Sequence, residues 1–177
     1  MKPKPLGVWD VMIPVIFIIN YMASKKSREL FAENLLFTKK LALEAARDIL
    51  KKGLSRHEVL ARIHEKTSEV LASEKDGIYS EEIRQKQMKE MDLLIDHYLK
   101  LLEAEGKDYR TLVINAYQSQ QNYEAFLKKL KAAEQEVMLA AKQTLGSKAA
   151  PEVLYRMEEA SDSIRVATLN QIFGPDR

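Results

Sequence analysis

Apolar side chains recur through most of the chain at the spacing of three and four residues that marks one face of an α-helix. One such stripe runs from Leu30 to Leu50, and another runs from Ile83 to Leu102. Good helix formers fill most other positions, and the chain contains only six glycines and five prolines. Short connections between the stripes favour antiparallel neighbours. The pattern therefore predicts an all-α fold, an antiparallel bundle of about five to six helices.

Glycines and capping residues divide this pattern into helical segments. Gly53 and Gly146 are typical stops, and the polar run from Gln118 to Asn122 indicates a turn or a kink. Pro151 suits the first turn of the last helix. The first helix is expected to be long, and its leading end is apolar. The expected helices cover about 11–52, 55–76, 80–105, 109–118, 122–145 and 151–173, with Ser55, Ser80 and Asp108 as N-caps.

The last helix has a narrower apolar face than the others. Its apolar residues alternate steps of four and three, the spacing of a coiled-coil seam, and they are Val153, Met157, Ala160, Ile164 and Ala167. This spacing predicts that the helix packs along one groove of a partner helix. The same seam suits self-association equally well, so the pattern is also compatible with a homo-oligomer.

The segment from Leu6 to Ala23 departs from the amphipathic pattern. No polar side chain occurs between Val11 and Ile19, so a helix there would be apolar on every side. Something apolar must therefore surround this segment. Basic residues flank it on both sides, namely Lys2, Lys4, Lys25, Lys26 and Arg28.

Four interpretations of the apolar segment are considered. A cleavable signal peptide is disfavoured, because Asp10 and Pro14 interrupt the apolar region and Tyr21 stands where a small residue is preferred. A spanning helix needs about 20 apolar residues, whereas Val11 to Ala23 provides 13, or 18 when counted from Leu6 with Asp10 inside, so spanning is marginal. The other two interpretations are a short inserted or re-entrant membrane anchor and a central helix of a soluble bundle. Membrane contact is the favoured interpretation.

In a membrane anchor, each residue type of the segment would lie at a depth that suits it. Trp9 and Tyr21 are expected at the headgroup level, and the basic residues are expected to meet lipid phosphates. The residues predicted to contact the membrane are Trp9, Ile13, Phe17, Tyr21, Lys25, Lys26 and Arg28. If the segment spans the bilayer, its basic C-terminal flank places the bulk of the chain in the cytoplasm. The expected location is therefore a membrane surface, with most of the chain cytoplasmic.

Charge and composition limit the possible partners of the chain and indicate its domain organisation. The first 52 residues carry ten lysines and arginines against five acidic residues, which suits an anionic lipid surface. The rest of the chain is net acidic, with 18 basic and 21 acidic residues, and this excludes a basic nucleic-acid-binding face as the main feature. Cysteine is absent, so disulfides and thiolate chemistry are excluded. The expected organisation is an anchor segment over 1–28 and a helical bundle over 29–177.

Candidate chemistry is sparse. No histidine has a glutamate three residues before it, and no His-Glu-x-x-His motif occurs, so the usual ligand pairs of metal-binding helices are absent. His57, His64 and His97 are interpreted as surface residues or hydrogen-bonded boundary residues. Asp92 and Asp96 share a helix face, which is common in charged helices. We predict no catalytic residue, no metal and no cofactor.

Five tyrosines add aromatic surface to the later helices. A tyrosine-lined pocket is one interpretation, but aromatic residues at helical spacing more often belong to the core or its rim, with the hydroxyl near water. The core interpretation is therefore favoured. These residues are Tyr98, Tyr109, Tyr117, Tyr123 and Tyr155.

The function expected from these patterns is that of a non-enzymatic, membrane-anchored helical scaffold or adaptor. Its predicted partner is membrane lipid with an anionic surface. One alternative is an accessory subunit of a larger membrane complex, in which Pro14 and Asn20 would have protein partners. Another is a soluble helical bundle that binds a small ligand.

Overall fold

A computed structural model of the chain describes residues 26–73, 80–146 and 151–174. No strand occurs within these ranges, so the predicted all-α bundle is confirmed for the part of the chain that is described. The helices are α1 (Lys26–Lys52), α2 (Arg56–Ser73), α3 (Glu81–Glu103), α4 (Tyr109–Tyr117), α5 (Gln120–Leu145) and α6 (Pro151–Phe173).

Predicted N-caps begin three of these helices. At the start of α2, the Ser55 backbone N–H donates to Glu58 Oε2 at 2.7 Å, and the Glu58 N–H donates to Ser55 Oγ at 3.2 Å. This reciprocal pair is a capping box. Ser80 caps α3 through its side chain, and Asp108 Oδ1 accepts the Thr111 N–H at 2.8 Å to cap α4. Local side-chain chemistry therefore fixes the helix starts.

Residues with a positive φ follow α1 and α4. Gly53 follows α1 with a φ of 65°, as expected for a glycine that stops a helix. Gln118 follows α4 with a φ of 62°, and Ser119 then caps α5. The turn between α4 and α5 is shorter than the predicted polar run, because Gln120 already belongs to α5.

Two apolar clusters account for much of the core in the described part of the chain. In the first cluster, Ala42 and Ala46 are fully buried, and these small side chains allow α1 to pack closely on its neighbours. Ala45, Val59, Ile63, Met91, Leu94, Ile95 and Leu130 complete this cluster, which joins α1, α2, α3 and α5. The second cluster joins α3, α4, α5 and α6, and its buried members are Leu101, Val113, Tyr117, Tyr123 and Ile172.

The long helices α3 and α5 run antiparallel to each other. Near one end, Ser80 Oγ at the start of α3 lies 2.8 Å from Thr144 Oγ1 near the end of α5. Further along α3, the His97 ring stacks on Phe126 near the beginning of α5, with ring centroids 4.6 Å apart. The contacts of α3 with α1 and α5 make it the central helix of the bundle.

Helix α6 also runs antiparallel to α5. Gln135 Nε2 donates to Glu158 Oε1 at 2.5 Å near the beginning of α6. At the other end of α6, the ring of Phe173 lies 6.0 Å from that of Tyr123 near the beginning of α5. These two contacts place α6 along much of the length of α5.

Within the chain, the packing of the coiled-coil seam of α6 on a partner helix is wrong for the residues whose side chains are described, and self-association through the seam stays a prediction. Ala160 and Ala167 are exposed, and Ile164 exposes 46% of its surface. The side chains of Val153 and Met157 lie outside the described residues. The described seam residues are therefore mostly exposed rather than buried against a partner helix.

A more polar face of α6 turns towards the bundle instead. Asp162 and Arg165 form ion pairs with α5, and Ile172 is buried among the aromatic residues of the second cluster. The ion pairs and the apolar contacts at the end of α6 decide which face of the helix packs on the bundle. This face is not the one that the spacing of four and three predicts. The seam residues were consistent with a narrow apolar contact, but the charged residues between them have partners in the bundle.

Arg56 joins α2 to α3. Its Nε donates to Asp92 Oδ1 at 2.9 Å, one Nη donates to the Asp92 carbonyl oxygen at 2.9 Å, and the other Nη pairs with the Asp96 carboxylate. The hydrogen bond that Arg56 donates to Asp96, and to a smaller extent the hydrogen bond to Asp92, raise the pKa of Arg56 above its usual range. The two aspartates that share a helix face thus hold an arginine from the neighbouring helix.

We expect Arg56→Ala to lower the free energy of unfolding by about 1 kcal/mol, because the guanidinium is partly exposed and yet contacts two carboxylates and a carbonyl. Urea denaturation followed by circular dichroism measures this change. Arg62→Ala is the matched control, since Arg62 is an exposed arginine of the same helix. Equal losses in the two variants would contradict the proposed role of Arg56.

Candidate functional site

His97 lies at the centre of an aromatic cluster formed by α3, α4 and α5. It exposes 5% of its surface and stacks on Phe126 with an interplanar angle of 6°. The rings of Tyr117 and Tyr123 lie 5.8 Å and 6.3 Å from the His97 ring. Tyr117 and Tyr123 contact each other edge to face at 5.0 Å, an arrangement that the charge distribution of aromatic rings favours.

The imidazole of His97 is held by one hydrogen bond and by burial. His97 Nδ1 lies 2.8 Å from the Tyr117 hydroxyl oxygen. Burial lowers the pKa of His97 to about 4, and the positive charges of Lys39 and Lys100 act in the same direction. His97 is therefore neutral near pH 7. A neutral imidazole buried among rings is a core residue with a hydrogen-bond partner, which differs from the surface or boundary position expected from the sequence.

The tyrosine hydroxyls beside this cluster are also held neutral. Burial raises the pKa of Tyr98 to about 12, and it raises the pKa of Tyr117 and Tyr123 further. The Tyr109 and Tyr123 hydroxyl oxygens lie 3.4 Å apart. A neutral phenol can donate a hydrogen bond, so these residues offer O–H donors next to apolar ring faces.

A cleft of about 300 Å³ opens beside the tyrosines. Among the described helices, α1, α3, α4, α5 and α6 contribute to it, and it lies at the small end of the range of ligand pockets. Leucine and isoleucine side chains form part of its wall, while lysine, arginine, glutamate and hydroxyl groups form the rest. The lining residues are Lys39, Tyr98, Tyr109, Tyr123, Leu127, Leu130, Glu134, Ser161, Ile164, Arg165 and Thr168.

An ion network closes the α5–α6 side of this cleft. Arg165 pairs with Glu134 and donates to Asp162 Oδ1 at 2.7 Å. Lys131 Nζ contacts the other carboxylate oxygen of Asp162 at 2.6 Å. Arg165 and Glu134 expose 14% and 23% of their side chains, so the pair is largely shielded from water. Such a pair is more sensitive to the loss of one member than a surface pair is.

Lys39 and Glu90 bring opposite charges to the same region from α1 and α3. Burial lowers the pKa of Lys39, and the neighbouring Arg165 lowers it further, although Glu90 opposes the shift. Burial raises the pKa of Glu90 to about 7, against the opposing charges of Lys39 and Arg165. Near pH 7, Glu90 is therefore only partly ionised, whereas a glutamate in water is fully ionised.

A second cavity of about 260 Å³ lies on the other side of the His97–Tyr117 pair. Lys100 and Lys129 are at its rim, and the Lys100 Nζ lies 5.2 Å from the centre of the Tyr117 ring. This distance is within the range of a cation–π contact. The cavity is an exposed groove over the aromatic cluster, with His97 at its base.

The predicted membrane-contacting residues lie at the N-terminal boundary of the described chain or beyond it. Trp9, Ile13, Phe17, Tyr21 and Lys25 lie outside the described residues. Lys26 and Arg28 belong to the first turn of α1, and their side chains are not described. Among the described helices, none combines the length and the apolar character needed to cross a bilayer. The anchor remains a prediction from the sequence.

The tyrosines divide between the core and the cleft. Tyr117 and Tyr123 are buried, Tyr98 is half-buried, and Tyr109 and Tyr155 are exposed. The favoured core interpretation thus describes two of them, while Tyr98, Tyr109 and Tyr123 also line the cleft. Within the described ranges, no group of three or more acidic or histidine side chains could hold a metal ion.

Sequence reasoning did not single out Lys39, Glu90, Glu134 or Arg165. One signal for His97 was available, because it lies three residues after Leu94 and four before Leu101 and so falls on the apolar face of α3. The charged residues carry no comparable signal, since they come from four helices that are distant in sequence.

Comparison with protein-family models, with curated proteins and with solved structures gave no match. The geometry of the site and the pattern of the sequence therefore carry the functional argument.

Proposed function

We propose that the chain is a membrane-attached helical scaffold or adaptor, held at an anionic lipid surface by residues 6–23. The observation that carries this proposal is the uninterrupted apolar run from Val11 to Ile19, which is followed within ten residues by Lys25, Lys26 and Arg28. An apolar run of this kind next to a basic flank is typical of segments that enter the lipid interface.

The position of α1 supports this proposal. The described part of α1, Lys26–Lys52, includes Lys26 and Arg28 of the basic flank, and its 27 residues correspond to a length of about 40 Å. Its later turns carry Ala42, Ala45 and Ala46, which are buried in the first core cluster. In the proposed arrangement, one helix therefore links the lipid-facing flank to the centre of the bundle.

The basic flank would contribute through charge as well as position. Each lysine or arginine close to an anionic membrane contributes about 1 kcal/mol to binding. Lys25, Lys26 and Arg28 together would then strengthen binding to anionic vesicles by roughly a hundredfold. Binding of the apolar residues has no such dependence on lipid charge, so the two contributions can be separated by experiment.

We expect the full chain to float with vesicles and a variant lacking residues 1–24 to remain in solution. Flotation is measured with phosphatidylcholine vesicles and with vesicles that also contain phosphatidylserine. The variant K25Q/K26Q/R28Q should bind the vesicles that contain phosphatidylserine about a hundredfold more weakly than the full chain does. Its binding to the phosphatidylcholine vesicles should not change. A full chain that is monodisperse without detergent and does not float would overturn the proposal.

Two controls make the result specific. K107Q/K128Q/K129Q removes three exposed cations from the bundle, and it should bind anionic vesicles as the unmodified chain does. Circular dichroism of the variant lacking residues 1–24 shows whether the bundle is folded. Unfolding of that variant would mean that residues 6–23 belong to the core. Recovery in mild detergent of a stoichiometric complex with an integral membrane protein would favour the accessory-subunit alternative.

A further inference from the structure

The cleft beside the tyrosines combines a cation with apolar walls. Lys39 comes from α1, while Leu127 and Leu130 of α5 and Ile164 of α6 supply aliphatic surface. Tyr98 and the other cleft tyrosines add ring faces and neutral hydroxyl groups. Pockets that bind small molecules have this composition, with a mostly apolar wall and a few polar groups that set the orientation.

Lys39 differs from the other cations of this region in its pairing. Lys131 and Arg165 each contact a carboxylate within hydrogen-bonding distance. Lys39 forms no ion pair within 4.0 Å with a carboxylate of the described residues, and Glu90 acts on it only through a longer-range attraction. A shielded cation without a close partner is costly, so a bound anion would lower the free energy of this arrangement.

The charges around Lys39 limit the anion to a single charge. Arg165 and Lys131 pair with Glu134 and Asp162, so these two cations offset these two carboxylates. Glu90 acts on Lys39 from α3, so it would repel a second negative charge on a ligand. A carboxylate fits these conditions better than a phosphate dianion does. Its organic part would lie against the leucines and the tyrosine rings.

We propose that this cleft binds a small organic carboxylate with an apolar body, with Lys39 Nζ as the group that contacts the carboxylate. The tyrosine hydroxyls are the neighbouring hydrogen-bond donors, and a volume of about 300 Å³ suits a ligand of the size of a single substituted ring. Carboxylate binding at this cleft does not depend on membrane attachment.

The test compares three ring compounds of similar shape and different charge. Benzoate, benzamide and benzamidine are titrated into the full chain, and binding is followed by isothermal calorimetry and by ligand-observed NMR. We expect benzoate to bind at least tenfold more tightly than neutral benzamide, and cationic benzamidine to bind most weakly. Equal binding of the three compounds, tighter binding of benzamidine, or no binding of benzoate at millimolar concentration would overturn the proposal.

Variants at two adjacent lysines locate the site. Lys39→Gln should weaken benzoate binding at least tenfold and leave benzamide binding unchanged. Lys40→Gln should leave both unchanged, because Lys40 is exposed and does not line the cleft. Circular dichroism confirms that each variant is folded. If Lys39→Gln binds benzoate as the unmodified chain does, the carboxylate lies elsewhere and the assignment to this cleft is wrong.

Discussion

Tyr123→Ala is expected to lower the free energy of unfolding by about 3–5 kcal/mol, the range for removal of a buried aromatic ring. Tyr123 exposes 2% of its surface. Its ring contacts Tyr117 at 5.0 Å and Phe173 at 6.0 Å, so it connects α4, α5 and α6. A loss of this size is a large part of the stability of a typical domain. Urea denaturation followed by circular dichroism measures it.

Tyr155→Ala is the matched control for this substitution. Tyr155 exposes 67% of its surface, so its replacement should change the free energy of unfolding by no more than about 0.5 kcal/mol. Tyr123→Phe separates the ring from the hydroxyl and should cost far less than the alanine variant, because the Tyr109 contact of the hydroxyl is long at 3.4 Å. A cost below about 1 kcal/mol for Tyr123→Ala would contradict the central position of this ring.

His97 should make the protein less stable in acid. The pKa of His97 in the folded chain is lowered to about 4 from the usual 6.5, so between these values the unfolded chain binds a proton that the folded chain does not. The contribution of neutral His97 to the free energy of unfolding is therefore fully present above about pH 6.5. This contribution is lost as the pH falls towards 4. The full contribution is about 3 kcal/mol, because a shift of one pKa unit corresponds to about 1.4 kcal/mol.

Two measurements test this expectation. The ring resonances of His97 in NMR should keep the chemical shifts of the neutral form well below pH 6.5 and reach the midpoint of their change near pH 4. In urea denaturation, His97→Gln should flatten the fall in stability between pH 6.5 and pH 4, whereas His64→Gln should leave it unchanged. Titration of the His97 ring near pH 6.5 would contradict the burial argument.

Helix starts were predictable because their chemistry is local. Ser55 and Glu58 are three residues apart in the sequence, and the capping box that they form needs no information from the rest of the chain. The positive φ of Gly53 follows from the same kind of local rule. The all-α fold was predictable for a related reason, since helical periodicity is visible within a few turns.

The candidate site depends on contacts between distant residues. Lys39, Glu90 and Arg165 lie on α1, α3 and α6, and no spacing in the sequence brings them together. The orientation of α6 was mispredicted for the same reason. The seam through Ile164 has regular spacing, but the partners of Arg165 on α5 decide which face turns inward. Pairing between helices is a tertiary property, and a single sequence shows only the preferences of each helix.

The exposed seam of α6 has a consequence for how the molecule opens. Over its described side chains, α6 is attached by ion pairs and by a short apolar end rather than by a continuous apolar stripe. Salt screens the more exposed of these pairs, Lys131 with Asp162, far more than it weakens apolar burial. Detachment of this helix should therefore require less free energy than global unfolding, and less again at high ionic strength. Helix α6 would then open at a lower free energy than the rest of the bundle does. The wall of the cleft that α6 forms would open with it.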